Sequence, residues 1–247
     1  MPSGAYKMQV FAHEAESIFC SVSVPVVVER ADVEGLRVAV GACPTAEGRV
    51  TVEGDAKGDP KPGLAGAIVD FEHGDRNAQL RADGSFATSL SSGPGNIDLS
   101  RITKEKGLYV KSIRSGNQDL LRNGFVAEAS GRIELEIVLA SDGGKLDGTV
   151  SDKDDKPVVG ATIVLIPNDP ALRTRPDFVR DATTDHAGHF ELKNIAPGDY
   201  KLFAWDDIEE SSWFDPDFLK DFEAKGQPVT VKVNDNQTVK LGVLPVP

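Results

Sequence analysis

The chain has 247 residues, of which 40% are hydrophobic and 27% are charged, and its formal net charge is −12. These proportions are those of a soluble globular protein, so intrinsic disorder is not expected. The negative charge argues against nucleic acid or an anionic membrane surface as a partner. No apolar run approaches the ~20 residues that a membrane-spanning helix needs, so membrane insertion is not expected either.

Two cysteines flank the first pair of predicted strands. Residues 21–42, "SVSVPVVVERADVEGLRVAVGA", read as two alternating runs joined by a polar turn. Directly opposed residues of an antiparallel hairpin have a constant sum of residue numbers, and a turn centred between Ala31 and Asp32 places Cys20 opposite Cys43. That separation suits a disulfide, which would favour an oxidising, extracytoplasmic compartment. Two unrelated buried thiols are the alternative.

The middle of the chain continues with short alternating runs that are bounded by Gly, Pro, Asn or Asp. Residues 47–72, "EGRVTVEGDAKGDPKPGLAGAIVDFE", and residues 78–100, "AQLRADGSFATSLSSGPGNIDLS", carry several of them, and residues 131–140, "GRIELEIVLA", form a closing strand. Many short strands with regular turn signals indicate a sandwich or a barrel.

The last part of the chain repeats this order more clearly. Residues 145–167 predict two strands, residues 178–205 predict three more, and residues 228–244, "PVTVKVNDNQTVKLGVL", predict a hairpin-like closing pair. The turns fall at Asp185–Gly188 and at Ala196–Gly198. Gly188 and Gly198 are expected to supply positive φ angles there, and Phe190 and Tyr200 to face the core.

One short helix is expected within "FDPDFLKDFEAKGQP", residues 214–228. Asp215 can cap it, Pro216 suits its first position and Gly226 suits its exit. Three apolar side chains would form one stripe that packs on the sandwich, and these are Phe218, Leu219 and Phe222.

Internal repeats organise these elements. Matching glycines and aromatic residues relate the middle part to the last part, and the matched segments are Gly48 with Gly148, Gly66 with Gly160, Gly84-Ser85-Phe86 with Gly188-His189-Phe190, and Pro94-Gly95 with Pro197-Gly198. The start of the chain matches only the second half of the repeat, with Gly4-Ala5-Tyr6 aligned to Gly198-Asp199-Tyr200. A missed repeat would misassign the fold. We therefore predict an incomplete sandwich at 1–46 and sandwiches at 47–143 and 144–247.

The motifs of the last repeat identify a family resemblance. "GTVSDKDDKPVVGATIVL" followed by "ATTDHAGHFELKNIAPGDYKLFAW" resembles the carboxypeptidase regulatory-like domain. The resemblance implies an all-β fold of tandem seven-stranded, Ig-like or prealbumin-like β-sandwiches, in the form found in large secreted bacterial proteins. The middle repeat fits more loosely, since Ile97 stands where the family has Tyr. In this family the motif residues are turns and core positions, so they indicate fold and not function.

Catalytic and metal-binding patterns are weak. The histidines are His13, His73, His186 and His189, and the His-x-x-His formed by the last two spans a turn rather than a helix. The acidic stretches "SDKDDKPVVG" and "DDIEESSWFDPDF" lack EF-hand spacing and read as solvated turns, although the second is the better calcium candidate. No nucleophile elbow, phosphate-binding loop or dinucleotide fingerprint occurs. We therefore expect no enzyme activity, no metal and no cofactor.

Three aromatic residues are the candidate binding surface. Trp205, Trp213 and Phe214 lie in or beside the longest insertion of the last repeat, where they could stack on sugar rings or hold an extended peptide. Alternatively, they supply buried area beneath the helix.

These observations favour a non-catalytic, extracytoplasmic structural protein that serves as a stalk, surface fibre or scaffold. Its partners would be other copies of the chain or the missing part of a larger polypeptide, because half a sandwich exposes strand edges and needs completion by strand addition or by residues lost in truncation. No signal peptide is visible at the start, which fits a fragment or a mature form. The alternative function is a carbohydrate- or peptide-binding module of a larger secreted enzyme or receptor, and the third is a hydrolase that uses unrecognised carboxylates.

Overall fold

A computed structural model describes most of the chain, namely residues 2–8, 10–14, 17–20, 24–30, 32–54, 63–71 and 76–245. The chain is an all-β protein, as predicted. Its described residues fall into two compact units, one within 1–51, 63–98 and 112–137 and the other within 52–62, 99–111 and 138–247. The division into three sandwich repeats stays a prediction. No helix among the described residues has the length and apolarity of a membrane span.

The described residues at the start of the chain form five strands, which are β1 (Gly4–Met8), β2 (Phe11–Glu14), β3 (Ser17–Cys20), β4 (Val24–Val28) and β5 (Gly41–Ala42). Strand β1 pairs with β4 in a two-stranded antiparallel sheet. Strands β2, β3 and β5 form a separate three-stranded sheet with β3 in the centre.

The prediction of a hairpin between the two cysteines is wrong, both in its strand pairing and in its register. The second predicted strand is reduced to β5, because residues 32–40 form no regular structure, and β4 pairs with β1 instead. Strand β3 pairs with β5, and Cys20 lies opposite Gly41, two residues short of Cys43. Both cysteines are buried and both are thiols in the structure. A disulfide between them stays a prediction.

In the middle of the chain, the residues outside the gaps at 55–62 and 72–75 form ten strands, which are β6 (Thr45–Glu53), β7 (Ile68–Phe71), β8 (Arg76–Gln79), β9 (Ser85–Ser89), β10 (Gly93–Gly95), β11 (Ile97–Asp98), β12 (Tyr109–Ser115), β13 (Gln118–Asp119), β14 (Phe125–Ala127) and β15 (Arg132–Ala140). They form sheets with the orders β13-β12-β15-β6-β9, β11-β7-β8 and β10-β14. Two short helices, α1 (Ser100–Lys106) and α2 (Leu120–Asn123), were not predicted.

Seven strands form the last repeat, as predicted, and they are β16 (Gly144–Ser151), β17 (Thr162–Pro167), β18 (Arg180–Thr183), β19 (His189–Ile195), β20 (Gly198–Trp205), β21 (Gln227–Val231) and β22 (Asn236–Gly242). One sheet has the order β19-β16-β22 and the other has the order β18-β17-β20-β21. The two sheets share one apolar cluster that includes Leu146, Phe190 and Leu202, so this part of the chain is a sandwich of three and four strands.

The closing pair of strands is not a hairpin. Strand β21 pairs with β20, whereas β22 pairs in parallel with β16 in the other sheet. The turn between them places Asn234 at a φ of 54°, and the Lys232 N–H donates to the Asp235 carboxylate at 3.2 Å. This turn carries the chain from one sheet to the other, which a local sequence pattern does not distinguish from a hairpin turn.

Two strands of the larger sheet are buried on both faces. In β17, Ile163 and Leu165 pack into the sandwich core, while Val164 and Ile166 pack into a second cluster on the outer face. In β20, Leu202 and its neighbour Phe203 divide in the same way. Since both faces are covered, these strands read as continuous apolar runs in the sequence.

The predicted turn residues are confirmed in part. Gly188 has a φ of 70°, and both Phe190 and Tyr200 are buried. Gly198 does not adopt a positive φ angle; a side chain there would meet the ring of Tyr200, at 3.4 Å from its Cε2 atom. Absence of a side chain at Gly198 therefore makes room for the tyrosine ring.

The helix predicted in the last repeat is α3 (Pro216–Lys220). Asp215 caps it by accepting a hydrogen bond from the Asp217 N–H at 2.9 Å, as predicted. The helix ends at Lys220, six residues before the predicted exit at Gly226.

Close packing at Gly148 gives a test of the sandwich. An added Cβ would lie 2.5 Å from the Phe190 ring and 2.8 Å from the Val239 carbonyl oxygen. We expect Gly148→Ala to lower the free energy of unfolding by about 1–3 kcal/mol in chemical denaturation, because a packed core resists extra volume. The control is Gly242→Ala, where no described atom lies within 4 Å of the added Cβ. Equal stability of the two variants would contradict the packing.

Candidate functional site

The outer face of the larger sheet holds an aromatic cluster centred on Trp205. The indole stacks on Phe203 with a centroid distance of 5.0 Å and an interplanar angle of 7°, and it meets the edge of Phe222 at 5.5 Å. Phe218 lies 5.7 Å away on α3. Trp205 is 0% exposed. The structure therefore removes Trp205 from the proposed binding surface, because a ligand cannot reach an enclosed ring.

The other two candidate residues lie on a 3-10 helix, Ser212–Phe214, just before α3. Trp213 is 7% exposed and packs into the outer cluster, whereas Phe214 is half-buried. Their ring centroids are 6.0 Å apart. The structure thus brings Trp213 and Phe214 together, and it leaves Phe214 as the more accessible ring.

A groove beside these rings is the candidate site. Its volume is about 540 Å³, and it is bounded by the loop before β18, the 3-10 helix and α3. The lining combines apolar and charged side chains, which are Pro170, Arg173, Thr174, Trp213, Phe214, Pro216, Asp217, Leu219, Lys220 and Glu223. An apolar floor with a few polar groups is the usual character of a ligand pocket.

Charged groups on one wall of the groove are already engaged with each other. The Arg173 guanidinium donates to both oxygens of Glu223, at 3.2 and 3.0 Å, and the Lys201 ammonium donates to the same carboxylate at 2.6 Å. Hydrogen bonding to Lys201, with a further contribution from Arg173, holds the pKa of Glu223 below its usual value. These bonds connect the end of the helical segment, at Glu223, to Lys201 in β20 and to Arg173 in the loop before β18.

Sequence reasoning did not find this charged wall. Arg173 and Glu223 are 50 positions apart, and neither belongs to a recognisable motif. Only the packing of the helical segment against the sheet brings the two side chains together, so no local signal in the sequence could have found them.

The indole N–H groups of Trp205 and Trp213 are both buried, and neither has an acceptor within the part of the chain that the structure describes. Leaving such a donor without a hydrogen bond costs about 1–3 kcal/mol. The large aromatic area that is buried offsets this cost, so the main role of the cluster is to pack the helical segment against the sheet.

The histidine pair spans a turn, as the sequence indicates. His186 and His189 are exposed, and the Asp185 carboxylate between the strands accepts hydrogen bonds from the N–H groups of Ala187 and His189, at 2.8 and 2.9 Å. These bonds lower the pKa of Asp185. The carboxylate therefore fixes a turn. His73 and the side chain of His13 lie outside the described residues.

The acidic stretches also use carboxylates to fix backbone turns. Asp152 accepts hydrogen bonds from the N–H groups of Asp154 and Lys156, at 2.8 and 3.0 Å, and Asp215 caps α3. Within the residues that the structure describes, no group of three or more His, Cys, Asp or Glu side chains converges on a point that could hold a metal.

Comparison with protein families supports the resemblance found in the sequence. Residues 145–243 match the family model of the carboxypeptidase regulatory-like domain, which confirms the expectation for the last repeat. None of the curated proteins is significantly similar to the chain.

Solved structures that resemble the chain include two pilins and the Bacillus anthracis TIE protein. The streptococcal ancillary pilin is 14% identical with a TM-score of 0.31, over 100% of this chain and 77% of that chain. GBS52, the minor pilin of Streptococcus agalactiae, is 16% identical with a TM-score of 0.33, over 82% of this chain and 97% of that chain. The Bacillus anthracis TIE protein is 14% identical with a TM-score of 0.28, and the match covers 98% of this chain but only 43% of that chain. TM-scores below 0.5 carry no functional weight.

Burial of Trp213 predicts a large loss of stability on its removal. We expect Trp213→Ala to lower the free energy of unfolding by about 3–5 kcal/mol in chemical denaturation, as is usual for deleting a buried tryptophan. The matched control is Phe214→Ala, for which we expect about 1 kcal/mol because that ring is half-exposed. A folded Trp213→Ala variant of unchanged stability would contradict a packing role.

The charged wall predicts a specific dependence on pH. Because the folded-state pKa of Glu223 lies below its ordinary value of 4.5, its contribution is present above that value and is lost as the pH falls through the folded-state pKa. We expect Glu223→Gln to lower the free energy of unfolding at pH 7 by about 0.5–1 kcal/mol, a figure that allows for solvent screening. The difference from the unmodified chain should shrink below pH 4.5.

The control for this experiment is Glu210→Gln, which makes the same charge change at an exposed position. Denaturation curves over a series of pH values measure both variants. A stability difference that is equally large for Glu223→Gln in strong acid would contradict an ionic role for Glu223.

Proposed function

We propose that this chain is a non-catalytic structural protein, whose tandem β-sandwiches serve as a stalk, surface fibre or scaffold at an extracytoplasmic location. The observation that carries this proposal is the pairing of the first and last strands of the last repeat. Strands β16 and β22 lie side by side and run parallel, with seven residue pairs from Lys145–Asn236 to Ser151–Gly242.

Hydrogen bonds close both ends of this parallel ladder. At one end the Lys145 N–H donates to the Asp235 carbonyl oxygen at 2.8 Å, and at the other the Val243 N–H donates to the Ser151 carbonyl oxygen at 3.1 Å. Parallel ladders have evenly spaced bonds along their whole length. We call this pair of strands, residues 144–151 and 236–242, the terminal clasp.

The direction of the two strands determines how the clasp responds to tension. Because β16 and β22 are parallel, the chain enters the clasp at one end and leaves it at the other. Tension on the two ends of the repeat therefore slides the strands past each other and loads all the ladder bonds together. An antiparallel hairpin under the same tension would open one bond at a time. Resistance to sliding is the property that a stalk or fibre subunit needs.

The most distinctive motif residues support the same function. Phe190, Tyr200 and Trp205 are each no more than 2% exposed, and they lie in the two apolar clusters of the repeat. The Tyr200 hydroxyl donates to the Ala196 carbonyl oxygen at 2.8 Å, and burial raises the pKa of this hydroxyl. The tyrosine therefore has a structural role in the sandwich. These side chains maintain the sandwich.

A carbohydrate- or peptide-binding module is the second candidate function. The groove beside Phe214 favours it, because that half-exposed ring is next to charged and polar side chains. Binding to a polysaccharide or peptide that is lost in Phe214→Ala, in a variant that remains folded, would support this candidate.

Single-molecule force spectroscopy tests the structural proposal on the full chain tethered through its two ends. Backbone groups alternate in direction along β22, and the Val243 N–H faces β16. The Val239 N–H therefore also faces β16, whereas the Lys240 N–H points away from it. We expect Val239→Pro to lower the force that unfolds the last repeat, and to lower its equilibrium stability by about 1–3 kcal/mol through an unpaired carbonyl.

Lys240→Pro is the matched control, because it removes an N–H from the outer edge of the sheet and leaves the clasp bonds intact. Its unfolding force should stay close to that of the unmodified chain. If Val239→Pro unfolded at the same force as Lys240→Pro, the clasp would not carry the tension, and the proposal would lose its basis.

A further inference from the structure

The strand pair at the start of the chain reproduces a pair in the complete sandwich. Strands β1 and β4 pair in the same register as β20 and β21. The equivalent residue pairs are Gly4–Val28 and Gly198–Val231, Tyr6–Val26 and Tyr200–Val229, and Lys7–Pro25 and Lys201–Pro228.

The equivalence extends to a tyrosine hydrogen bond. The Tyr6 hydroxyl donates to the Pro2 carbonyl oxygen at 2.8 Å, and the Tyr200 hydroxyl donates to the Ala196 carbonyl oxygen at 2.8 Å, four residues earlier in both cases. A glycine lies two residues before each tyrosine and leaves space for its ring. Residues 2–8 thus adopt the local structure of residues 196–202.

The two pairs differ in what covers them. Strand β20 lies between β21 and β17, whereas β1 has only β4 as a neighbour among the residues that the structure describes. Tyr200 and Leu202 are 2% and 1% exposed, while their equivalents Tyr6 and Met8 are only half-buried. In the part of the chain that the structure describes, β1 therefore forms a sandwich edge that no third strand completes.

Backbone direction shows that this edge of β1 is ready to pair. The Asp199 carbonyl oxygen accepts a hydrogen bond from the Asn168 N–H at 2.8 Å, on the side of β17. Backbone groups alternate along a strand, so Lys201 faces the same side. By the shared register, Ala5 and Lys7 direct their N–H and C=O groups to the open edge of β1.

The strand that occupies this place in the complete sandwich is β17, Thr162–Pro167. Its Leu165 lies opposite Leu202, and both side chains enter the same core. Its Pro167 lies opposite Tyr200. A strand on the open edge of β1 in the same register would place an aliphatic side chain opposite Met8.

We propose that the open edge of β1 binds an extended segment of a partner polypeptide, antiparallel to β1 and aliphatic at alternate positions. The segment occupies the position that β17 takes beside β20, and it adds backbone hydrogen bonds at Ala5 and Lys7. This inference rests on the proposed structural function and names how the protein joins a partner.

A second folded copy of the chain does not supply this strand. The two strands of the required type are β17 and its repeat equivalent β7, Ile68–Phe71. Strand β17 already lies between β18 and β20, and β7 lies between β11 and β8. The segment that we propose is therefore a strand that its own fold leaves unpaired.

The test adds a synthetic peptide to the full chain. The peptide has the sequence of residues 161–168, ATIVLIPN, and its control carries Asp in place of Ile163 and Leu165. Hydrogen exchange measured by mass spectrometry follows the N-terminal residues. We expect the aliphatic peptide, but not its control, to slow exchange in the segment that contains Ala5 and Lys7 at least tenfold.

A matched pair of variants locates the effect. Lys7→Pro removes the N–H that faces the open edge and should abolish peptide binding, whereas Lys7→Ala keeps that N–H and should retain it. Equal binding by both variants, or protection of residues 198–205 in place of 4–8, would overturn the proposal. So would the absence of any binding by the unmodified chain.

Sedimentation equilibrium without peptide tests whether a second copy of the chain occupies the open edge of β1. A stable dimer in which residues 4–8 are already protected would show that a second copy covers the edge, and it would overturn the assignment to a different polypeptide. If the peptide does not bind but Val239→Pro still lowers the unfolding force, only the proposed strand-binding edge of β1 is contradicted. If Val239→Pro does not lower the unfolding force, the proposed structural function is contradicted.

Discussion

The last repeat depends on the pairing of β17 with β20, because these two strands separate its two apolar cores. Leu165 and Leu202 are opposed on the sandwich side, and Val164 and Phe203 are opposed on the helix side. Burial on both faces gives the pair a large apolar area per residue, at about 25 cal/mol per Å². It also explains the continuous apolar runs of the two strands, Ile163–Pro167 in β17 and Leu202–Trp205 in β20. The helix, the 3-10 turn and the charged wall are arranged to cover the outer face of this one pair.

The same constraint makes the start of the chain informative. Strands β1 and β4 keep the glycine, the tyrosine hydrogen bond and the register of β20 and β21, yet they lack a neighbour of the β17 type among the described residues. A two-stranded sheet is marginal by itself in water, and it gains independent stability from a third strand or an apolar cover. The half-buried state of Tyr6 and Met8 is the structural sign of that missing cover. The local geometry of this strand pair therefore does not require the tertiary contacts that surround β20.

Sequence reasoning predicted what short-range chemistry determines and missed what tertiary contacts determine. The seven strands of the last repeat and the cap at Asp215 follow from periodicity and turn residues, and both are present. The closing strands looked like a hairpin because a sheet-crossing turn at Asn234 has the same local composition as a hairpin turn. Cys20 was placed two residues out of register, since nothing local fixes the pairing of β3 with β5. For Trp205 the sequence leaves a binding role and burial beneath the helix both open, because the cover that Phe218 and Phe222 supply is a tertiary contact.

The position of proline in the pair β1 and β4 indicates which of its two edges is available for pairing with a further strand. Pro25 in β4 lies opposite Lys7, and Pro228 in β21 lies opposite Lys201. Since the backbone groups of Lys7 point away from β4, this pair is not hydrogen-bonded, and the Pro25 nitrogen faces the outer edge of β4. Proline at such a position removes a donor and blunts the edge against further pairing. Strand β1 contains no proline. Pairing of an added strand is therefore less favourable at the outer edge of β4 than at β1. Growth from β1 follows the order that leads from β21 through β20 to β17 in the complete repeat.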